Sequence, residues 1–160
     1  IGEYVTDSIK SESGAARKLN LKLQRLGEDH NNFMVVFLIF RNLLEIEMVV
    51  LPNAHLVTTV IAVAGRRGIL EEATFAFNWS YAAKLGSTSA PTAYTYTAYI
   101  QAIGQNITGE SWRKAFELFH EMIERGLTPN TFTYSALIRA GVRGGENGAR
   151  QVRTISILCV

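Results

Sequence analysis

Hydrophobic positions along the chain recur three or four residues apart, and short polar turns that contain glycine or proline separate the apolar segments. The clearest segment runs from Ser111 to Arg125, where one broad stripe carries the large apolar side chains and Gly126 follows as a helix stop. A second segment, from Glu71 to Lys84, has apolar residues at the same spacing. This pattern predicts an all-α protein.

The chain also repeats itself. Pro52, Pro91 and Pro129 open the similar segments PNAHLVTTVIAVAGRRG, PTAYTYTAYIQAIGQN and PNTFTYSALIRAGVRGG, at spacings of 39 and 38 residues. Proline lacks the amide hydrogen that a helix interior needs, so each Pro-Asn or Pro-Thr pair marks the end of one helix and the start of another. Each unit is therefore predicted to contain a first helix, a glycine-bearing turn and a second helix.

One helical hairpin cannot bury its apolar faces alone, so stacked neighbours must supply the core. We therefore expect an α-solenoid of about 3.5 to 4 helix-turn-helix repeats. Its expected parts are a polar N-terminal segment (1–18), a divergent first repeat (19–53), repeats at 54–92 and 93–130, and a partial fourth repeat (131–160). Residues 149–160 fit either an incomplete second helix or a frayed end. The helical spacing of tyrosine and phenylalanine favours core positions over base-stacking platforms.

Composition excludes several classes of site. The single cysteine rules out an internal disulfide framework, and the three histidines lack metal-ligand spacing, so no metal or cofactor is expected. The apolar stretch from Phe33 to Phe40 is far shorter than the ~20 residues of a membrane span. No phosphate-binding loop or nucleophile motif is present, so we do not expect an enzyme. The chain opens at Ile1 without an initiator methionine, which is compatible with a targeting peptide that has been removed or that lies outside this sequence.

The tract AFELFHEMIERGLTPNTFTYSALI, from Ala115 to Ile138, places a second helix, a proline boundary and the next first helix in a familiar order. The stretch from Pro91 to Gly145 closely resembles the pentatricopeptide repeat, whose units are a few residues shorter than the spacing found here. Residues 52–73 resemble it more weakly, and residues 20–53 more weakly still. The tetratricopeptide repeat, which binds proteins, fits less well because the tryptophan and the leucine-glycine pair of its first helix are absent.

The resemblance implies that the protein binds single-stranded RNA in a mitochondrion or chloroplast. It also implies a role in the processing, stability or translation of an organellar transcript. One nucleotide is read per repeat, by a residue early in the first helix and by the last residue of the unit. The implied base-reading residues are small and polar: Asn20 with Asn53, Thr58 with Thr92, Thr97 with Asn130, and Ser135 with a partner that the sequence does not place.

Two of these pairs resemble established pairings of the family. Thr97 with Asn130 resembles an adenine-preferring pair and Asn20 with Asn53 a pyrimidine pair, whereas we assign no base to Thr58 with Thr92. A short hydroxyl or amide side chain can bond a base edge without filling the space of the base. The same residue types also cap helix N-termini, so a capping role is the alternative interpretation.

The placement of charge is more informative than the net charge of +2. The four predicted first helices, residues 19–27, 54–67, 93–104 and 131–143, cover 48 of the 160 residues and contain none of the 14 acidic residues, where even placement would give about four. The same windows contain the candidate RNA-backbone contacts Lys22, Arg25, Arg66, Arg67, Arg139 and Arg143. One surface free of negative charge is therefore expected, compatible with phosphates.

The expected partners are single-stranded RNA and proteins of an organellar ribonucleoprotein complex. Two alternatives remain open at this point. The acids of the second helices are also explained as solvent-facing residues, and the repeats also fit a structural scaffold that binds protein or structured RNA in a larger assembly such as an organellar ribosome.

Overall fold

A computed structural model of the chain describes residues 33–45, 52–82, 90–106 and 111–158, together with Lys18, Leu21, Lys22 and Arg25. Every regular element in these ranges is an α-helix, which confirms the predicted all-α class. The helices are α1 (Phe33–Glu45), α2 (Ala54–Arg66), α3 (Leu70–Ala82), α4 (Ala93–Gln105), α5 (Ser111–Glu124), α6 (Thr131–Arg143) and α7 (Gly145–Leu158). Most of the segment for which the sequence left two interpretations therefore lies in α7.

Three of these helices begin directly after a capping residue that follows a proline. Asn53, Thr92 and Asn130 have extended backbone, and each side chain accepts a hydrogen bond from the backbone N–H three residues ahead. At α4 and α6 the side chain of the residue in that third position, Thr95 or Thr133, accepts a hydrogen bond from the backbone N–H of the cap and completes a capping box. The Pro-Asn and Pro-Thr pairs thus fix where each first helix starts.

The helices pack as hairpins, α2 with α3, α4 with α5 and α6 with α7, and the hairpins stack through their first helices. Helix α2 packs along α4, and α4 along α6, whereas the second helices α3, α5 and α7 make far less contact with one another. We call α2, α4 and α6 the first-helix row. The first helices of successive repeats thus pack on one another more closely than the second helices do, an arrangement that fits stacked repeats of an α-solenoid. No helix among the described residues is long and apolar enough to cross a membrane.

The close spacing of the row depends on glycine. A Cβ atom at Gly65 of α2 would overlap the Cβ atom of Ala102 on α4. At the equivalent place one repeat later, a Cβ at Gly104 would lie 3.3 Å from the carbonyl oxygen of Ala136 and 3.6 Å from the Cβ of Ala140 on α6. Two successive pairs of first helices therefore use the same glycine-to-alanine contact.

Side chains also join the C-terminal ends of successive first helices. The Asn106 amide donates from Nδ2 to the carbonyl oxygen of Gly65 at 2.9 Å, and Arg143 donates from Nη1 to that of Gly104 at 3.0 Å. Carbonyl groups in the last turn of a helix lack the usual partner four residues ahead within the helix, and these side chains donate to two of them. The Gly65 oxygen also accepts from the backbone N–H of Gly68 at 3.2 Å. The same connection thus recurs from one repeat to the next.

Aromatic residues fill the space between the two rows of helices. The ring of Phe77 on α3 stacks on Tyr99 at 4.4 Å and meets the edge of Tyr96 at 5.1 Å between centroids. For these residues, and for Phe116 and Phe119 on α5, the prediction of core positions is confirmed by their burial.

A polar network lies against this aromatic core. The Tyr96 hydroxyl donates to Oε1 of Glu121 at 2.6 Å, and Glu121 pairs with Arg125 at 3.4 Å. The Arg125 guanidinium lies 4.0 Å from the centroid of the Tyr81 ring, so the network joins α3, α4 and α5. Burial, and then the hydrogen bond to Glu121, raise the pKa of Tyr96 well above its ordinary range.

We expect Gly65→Ala to destabilise the protein, although alanine is the better helix former by about 1 kcal/mol. The added methyl group overlaps Ala102 and forces α2 away from α4, at a cost of about 1 to 3 kcal/mol. Urea unfolding followed by circular dichroism measures the change. The matched variant Gly65→Ala/Ala102→Gly removes the nearest clashing atom and should recover part of the loss. A more stable Gly65→Ala protein would contradict the assigned contact.

We expect Tyr96→Phe to lower the free energy of unfolding at neutral pH by about 1 to 2 kcal/mol, because the hydrogen bond to a carboxylate is lost. Above pH ~10 an unfolded tyrosine releases its proton while folded Tyr96 keeps it, so the parent protein loses stability as pH rises. The difference in the free energy of unfolding between the parent and Tyr96→Phe should therefore shrink between about pH 9 and 11. Urea unfolding at several pH values tests this, and a constant difference would count against the raised pKa.

Candidate functional site

A short chain of hydrogen bonds connects the predicted base-reading residues Thr97 and Asn130. The Thr97 hydroxyl oxygen lies 2.8 Å from the carbonyl oxygen of Ala93 and 2.7 Å from the hydroxyl oxygen of Thr133, which belongs to the next repeat. Thr133 in turn accepts from the backbone N–H of Asn130 at 3.1 Å and lies 3.2 Å from its Oδ1. The pair implied by the resemblance is thus bridged by Thr133, which sequence reasoning did not single out.

The same arrangement occurs one repeat earlier. The Thr58 hydroxyl lies 2.6 Å from the carbonyl oxygen of Ala54 and 2.9 Å from the hydroxyl of Thr95 on α4. Thr95 lies 3.1 Å from the Thr92 hydroxyl. Both predicted pairs in the described repeats are therefore linked through the third residue of the following first helix.

The capping interpretation applies to part of the predicted set. Asn53, Thr92 and Asn130 cap the helices that follow them. Thr58 and Thr97 lie within their helices and bond the carbonyl group four residues earlier. Capping alone therefore explains one member of each predicted pair.

The other predicted base readers are placed as follows. Ser135 on α6 is exposed and occupies the position equivalent to Thr97. Asn53 is half-buried, and its Oδ1 accepts from the backbone N–H of Leu56 at 2.9 Å. Asn20 lies outside the described residues.

Two exposed aromatic side chains stand beside the linked pairs. Tyr94 is 71% exposed and Phe132 is 75% exposed, and each comes two residues after its cap. Tyr94 lies three residues before Thr97, which puts both on one face of α4, although only 7% of Thr97 is exposed. Helical spacing alone assigned aromatic residues to the core, so these two were missed. The signal that identifies them is their position two residues after the cap. The exposed His55 occupies the same position in α2.

The charge distribution follows the two rows of helices. The first-helix row contains no acidic residue, and basic residues occur in the last turns of α2 and α6. In the three described hairpins the acids lie on the second helices, as Glu71, Glu72, Glu117, Glu121, Glu124 and Glu146. The first-helix row therefore presents polar hydroxyl groups, aromatic rings and positive charge without negative charge.

The basic residues proposed to contact the RNA backbone differ in their surroundings. Arg66 and Arg139 are exposed on the first-helix row, and Arg139 makes a long bond of 3.4 Å to the carbonyl oxygen of Ser135. Arg67 is half-buried at the C-cap of α2. Arg143 donates to the carbonyl groups of Gly104 and Gln105, so it also has a structural role.

Lys22 and Arg25 complete this set. Both are exposed and have helical backbone.

An open groove of about 590 Å³ lies on the other side of the stack, between α5 and α7. Its lining includes Trp112, Phe116, His120 and Arg150, and none of the predicted base readers. Among the described residues, no three histidine, cysteine or acidic side chains come together as a metal site. The groove thus lies apart from the site on the first-helix row.

Residues 91–143 match the family model of the PPR repeat family, which covers α4, α5 and α6. The chain is also 35% identical, over 79 residues, to a chloroplastic pentatricopeptide repeat-containing protein of Arabidopsis thaliana. That alignment covers 49% of this chain and 10% of the Arabidopsis protein, so the two share only a short section of the relative's length.

Proposed function

Because the chain belongs to the pentatricopeptide repeat family, we propose that it binds single-stranded RNA along its first-helix row. Selectivity for sequence comes from Thr97 with Asn130 and Thr58 with Thr92. The observation that carries the proposal is the combination of exposed rings and linked polar pairs on a row of helices without acidic residues.

Each component of this surface suits one part of a nucleotide. Exposed rings such as Tyr94 and Phe132 offer faces on which bases stack, a contact worth about 1 to 3 kcal/mol per base. Hydroxyl and amide groups such as those of Thr97 and Asn130 can donate to or accept from a base edge. Stacking supplies affinity and the polar pairs supply the preference for particular bases.

Positive charge along the row serves the RNA backbone. We assign this role first to Arg66 and Arg139, which are exposed on the row. Arg67, Lys22 and Arg25 belong to the same proposed set, and Asn20 with Asn53 to the proposed readers. Arg143 contributes mainly through its bonds to the end of α4, which keep the row together.

The cellular role follows from the family and from the chloroplastic relative. We place the protein in a chloroplast or mitochondrion, where it holds a transcript during processing, stabilisation or translation. It acts by binding and contributes no catalytic group. A scaffold that binds protein or structured RNA is the competing function.

Binding to a random pool of single-stranded RNA, with duplex RNA as a control, tests the proposal. We expect single strands to bind more tightly, with affinity falling by about 0.7 log units per log unit of salt for each phosphate contact. Arg66→Ala should weaken binding to all sequences and reduce this slope. Thr97→Ala should change the base enriched at one position when the bound RNA is sequenced.

The matched control is Thr59→Ala, which removes the same atoms from the same row of helices. The Thr59 hydroxyl also bonds the carbonyl four residues earlier, at His55, but belongs to none of the linked pairs. It should leave the enriched sequences unchanged. Equal binding of duplex and single strands, or no binding at all, would favour the scaffold function.

We also expect Tyr94→Ala to weaken RNA binding about 5- to 100-fold, because one base loses its stacking partner. Tyr94→Phe keeps the ring and should bind nearly as the parent does. Because Tyr94 is mostly exposed, neither change should alter the unfolding midpoint much. Filter binding or fluorescence anisotropy measures the affinities, and a Tyr94→Ala protein with parental affinity would remove this ring from the interface.

A further inference from the structure

We propose that Thr133 is a positioning residue for base recognition, which orients the Thr97 hydroxyl so that it can donate to an RNA base. Thr95 has the same role for Thr58 in the preceding repeat. This inference rests on the proposed function and adds to it the side chain that makes each reading pair selective.

Thr97 and Thr133 have fewer hydroxyl hydrogens than close contacts. The two hydroxyl groups of Thr97 and Thr133 supply two hydrogens for three close contacts, to Ala93, to each other and to Asn130. Two hydroxyl oxygens 2.7 Å apart must share a hydrogen, since they otherwise repel each other. Either Thr133 donates to Thr97, or Thr97 donates to Thr133.

Distance favours donation from Thr133 to Thr97. The 2.7 Å contact between the two hydroxyl groups holds a hydrogen in either case, so the other two contacts decide. The Thr97 oxygen lies 2.8 Å from the carbonyl oxygen of Ala93, whereas the Thr133 oxygen lies 3.2 Å from Oδ1 of Asn130, and the shorter contact is the stronger hydrogen bond. The Thr133 oxygen also accepts from the backbone N–H of Asn130, so the cap stays bonded when the Thr133 hydrogen points to Thr97. We therefore infer that the Thr133 hydroxyl donates to the Thr97 oxygen and that the Thr97 hydroxyl donates to the carbonyl oxygen of Ala93.

This direction leaves Thr97 ready to donate. The Ala93 carbonyl lies four residues before Thr97 in α4, so the helix already provides it with a backbone N–H. The Thr97 hydrogen can therefore turn from Ala93 to a base without leaving a buried group unpaired. With the opposite direction, the Thr97 hydrogen would be held by Thr133 and unable to reach a base.

Thr133 and Thr95 are fully buried, so neither can touch RNA itself. Their bonds to the caps explain how α6 and α4 begin, but capping does not require a bond to the preceding repeat. That bond occurs in both repeats, and in each it is the shorter of the contacts made by the third-position hydroxyl with another side chain. The repetition indicates a feature of the reading pair and not an isolated contact.

The test compares Thr133→Val, which replaces the hydroxyl by a methyl group of similar size, with Thr133→Ser, which keeps it. Each protein is incubated with the random single-stranded RNA pool, and the bases enriched at each position are counted. We expect Thr133→Val to reduce discrimination about three- to tenfold at the nucleotide affected by Thr97→Ala, the effect of one hydrogen bond. Affinity for the pool as a whole should change little, and Thr133→Ser should discriminate as the parent does.

Thr95→Val provides a second and independent test. It should reduce discrimination only at the nucleotide read by Thr58 with Thr92 and leave the neighbouring preference unchanged. Because Thr95 and Thr133 also serve the caps, circular dichroism melting checks that each variant is folded at the temperature of binding. If Thr133→Val does not fold, the Thr95→Val result decides.

The possible failures can be told apart. If Thr97→Ala abolishes a base preference that Thr133→Val and Thr95→Val both leave intact, the positioning role is wrong and the proposed function stands. If Thr133→Ser loses discrimination as Thr133→Val does, the hydroxyl group is not the cause and the inference is overturned. If the parent protein enriches no base at any position, sequence selection itself fails.

Discussion

The close approach of successive first helices is the constraint on which the other features of this structure depend. Gly65 lies so close to Ala102 that an added Cβ atom would overlap it, and Gly104 lies against α6, where an added Cβ would be only 3.3 Å from the carbonyl oxygen of Ala136. This spacing brings the hydroxyl groups of neighbouring repeats within hydrogen-bonding distance near the N-termini of the helices, and the side chain of Arg143 within reach of α4 near the C-termini. A wider stack would separate both sets of groups, so packing by small residues is a condition for the polar links between repeats.

The face of α6 that corresponds to these contacts differs from that of α2 and α4. Val142 occupies the position of Gly65 and Gly104 in the aligned units, and it is 67% exposed. A Cβ at Gly65 would already overlap the next helix, and valine adds two further methyl groups. Another first helix therefore cannot approach α6 as closely as α6 approaches α4. The hydroxyl link that joins Thr97 to its neighbour needs that spacing, so this face of α6 cannot form the same link at Ser135.

Much of this architecture could be predicted from the sequence, because it depends on local rules. Pro52, Pro91 and Pro129 mark where the first helices begin, and apolar spacing predicts the helices between them. Spacing alone could not separate the exposed Tyr94 from the buried Tyr96, because burial depends on how the neighbouring repeat packs. The bridging role of Thr133 also escaped prediction, since it arises from a contact between residues 36 positions apart.

Capping and base reading, which the sequence presented as alternatives, use different atoms of the same residue. Asn130 caps α6 through Oδ1, which accepts from the backbone N–H of Thr133. Capping does not use the Nδ2 group, whose two hydrogens remain suited to the acceptor atoms of a base edge. An aspartate would cap as well but would offer only acceptor oxygens. Because Oδ1 of Asn130 is bonded to the helix, the side chain presents its Nδ2 hydrogens to a base. The capping bond thus makes Asn130 a hydrogen-bond donor in the proposed recognition.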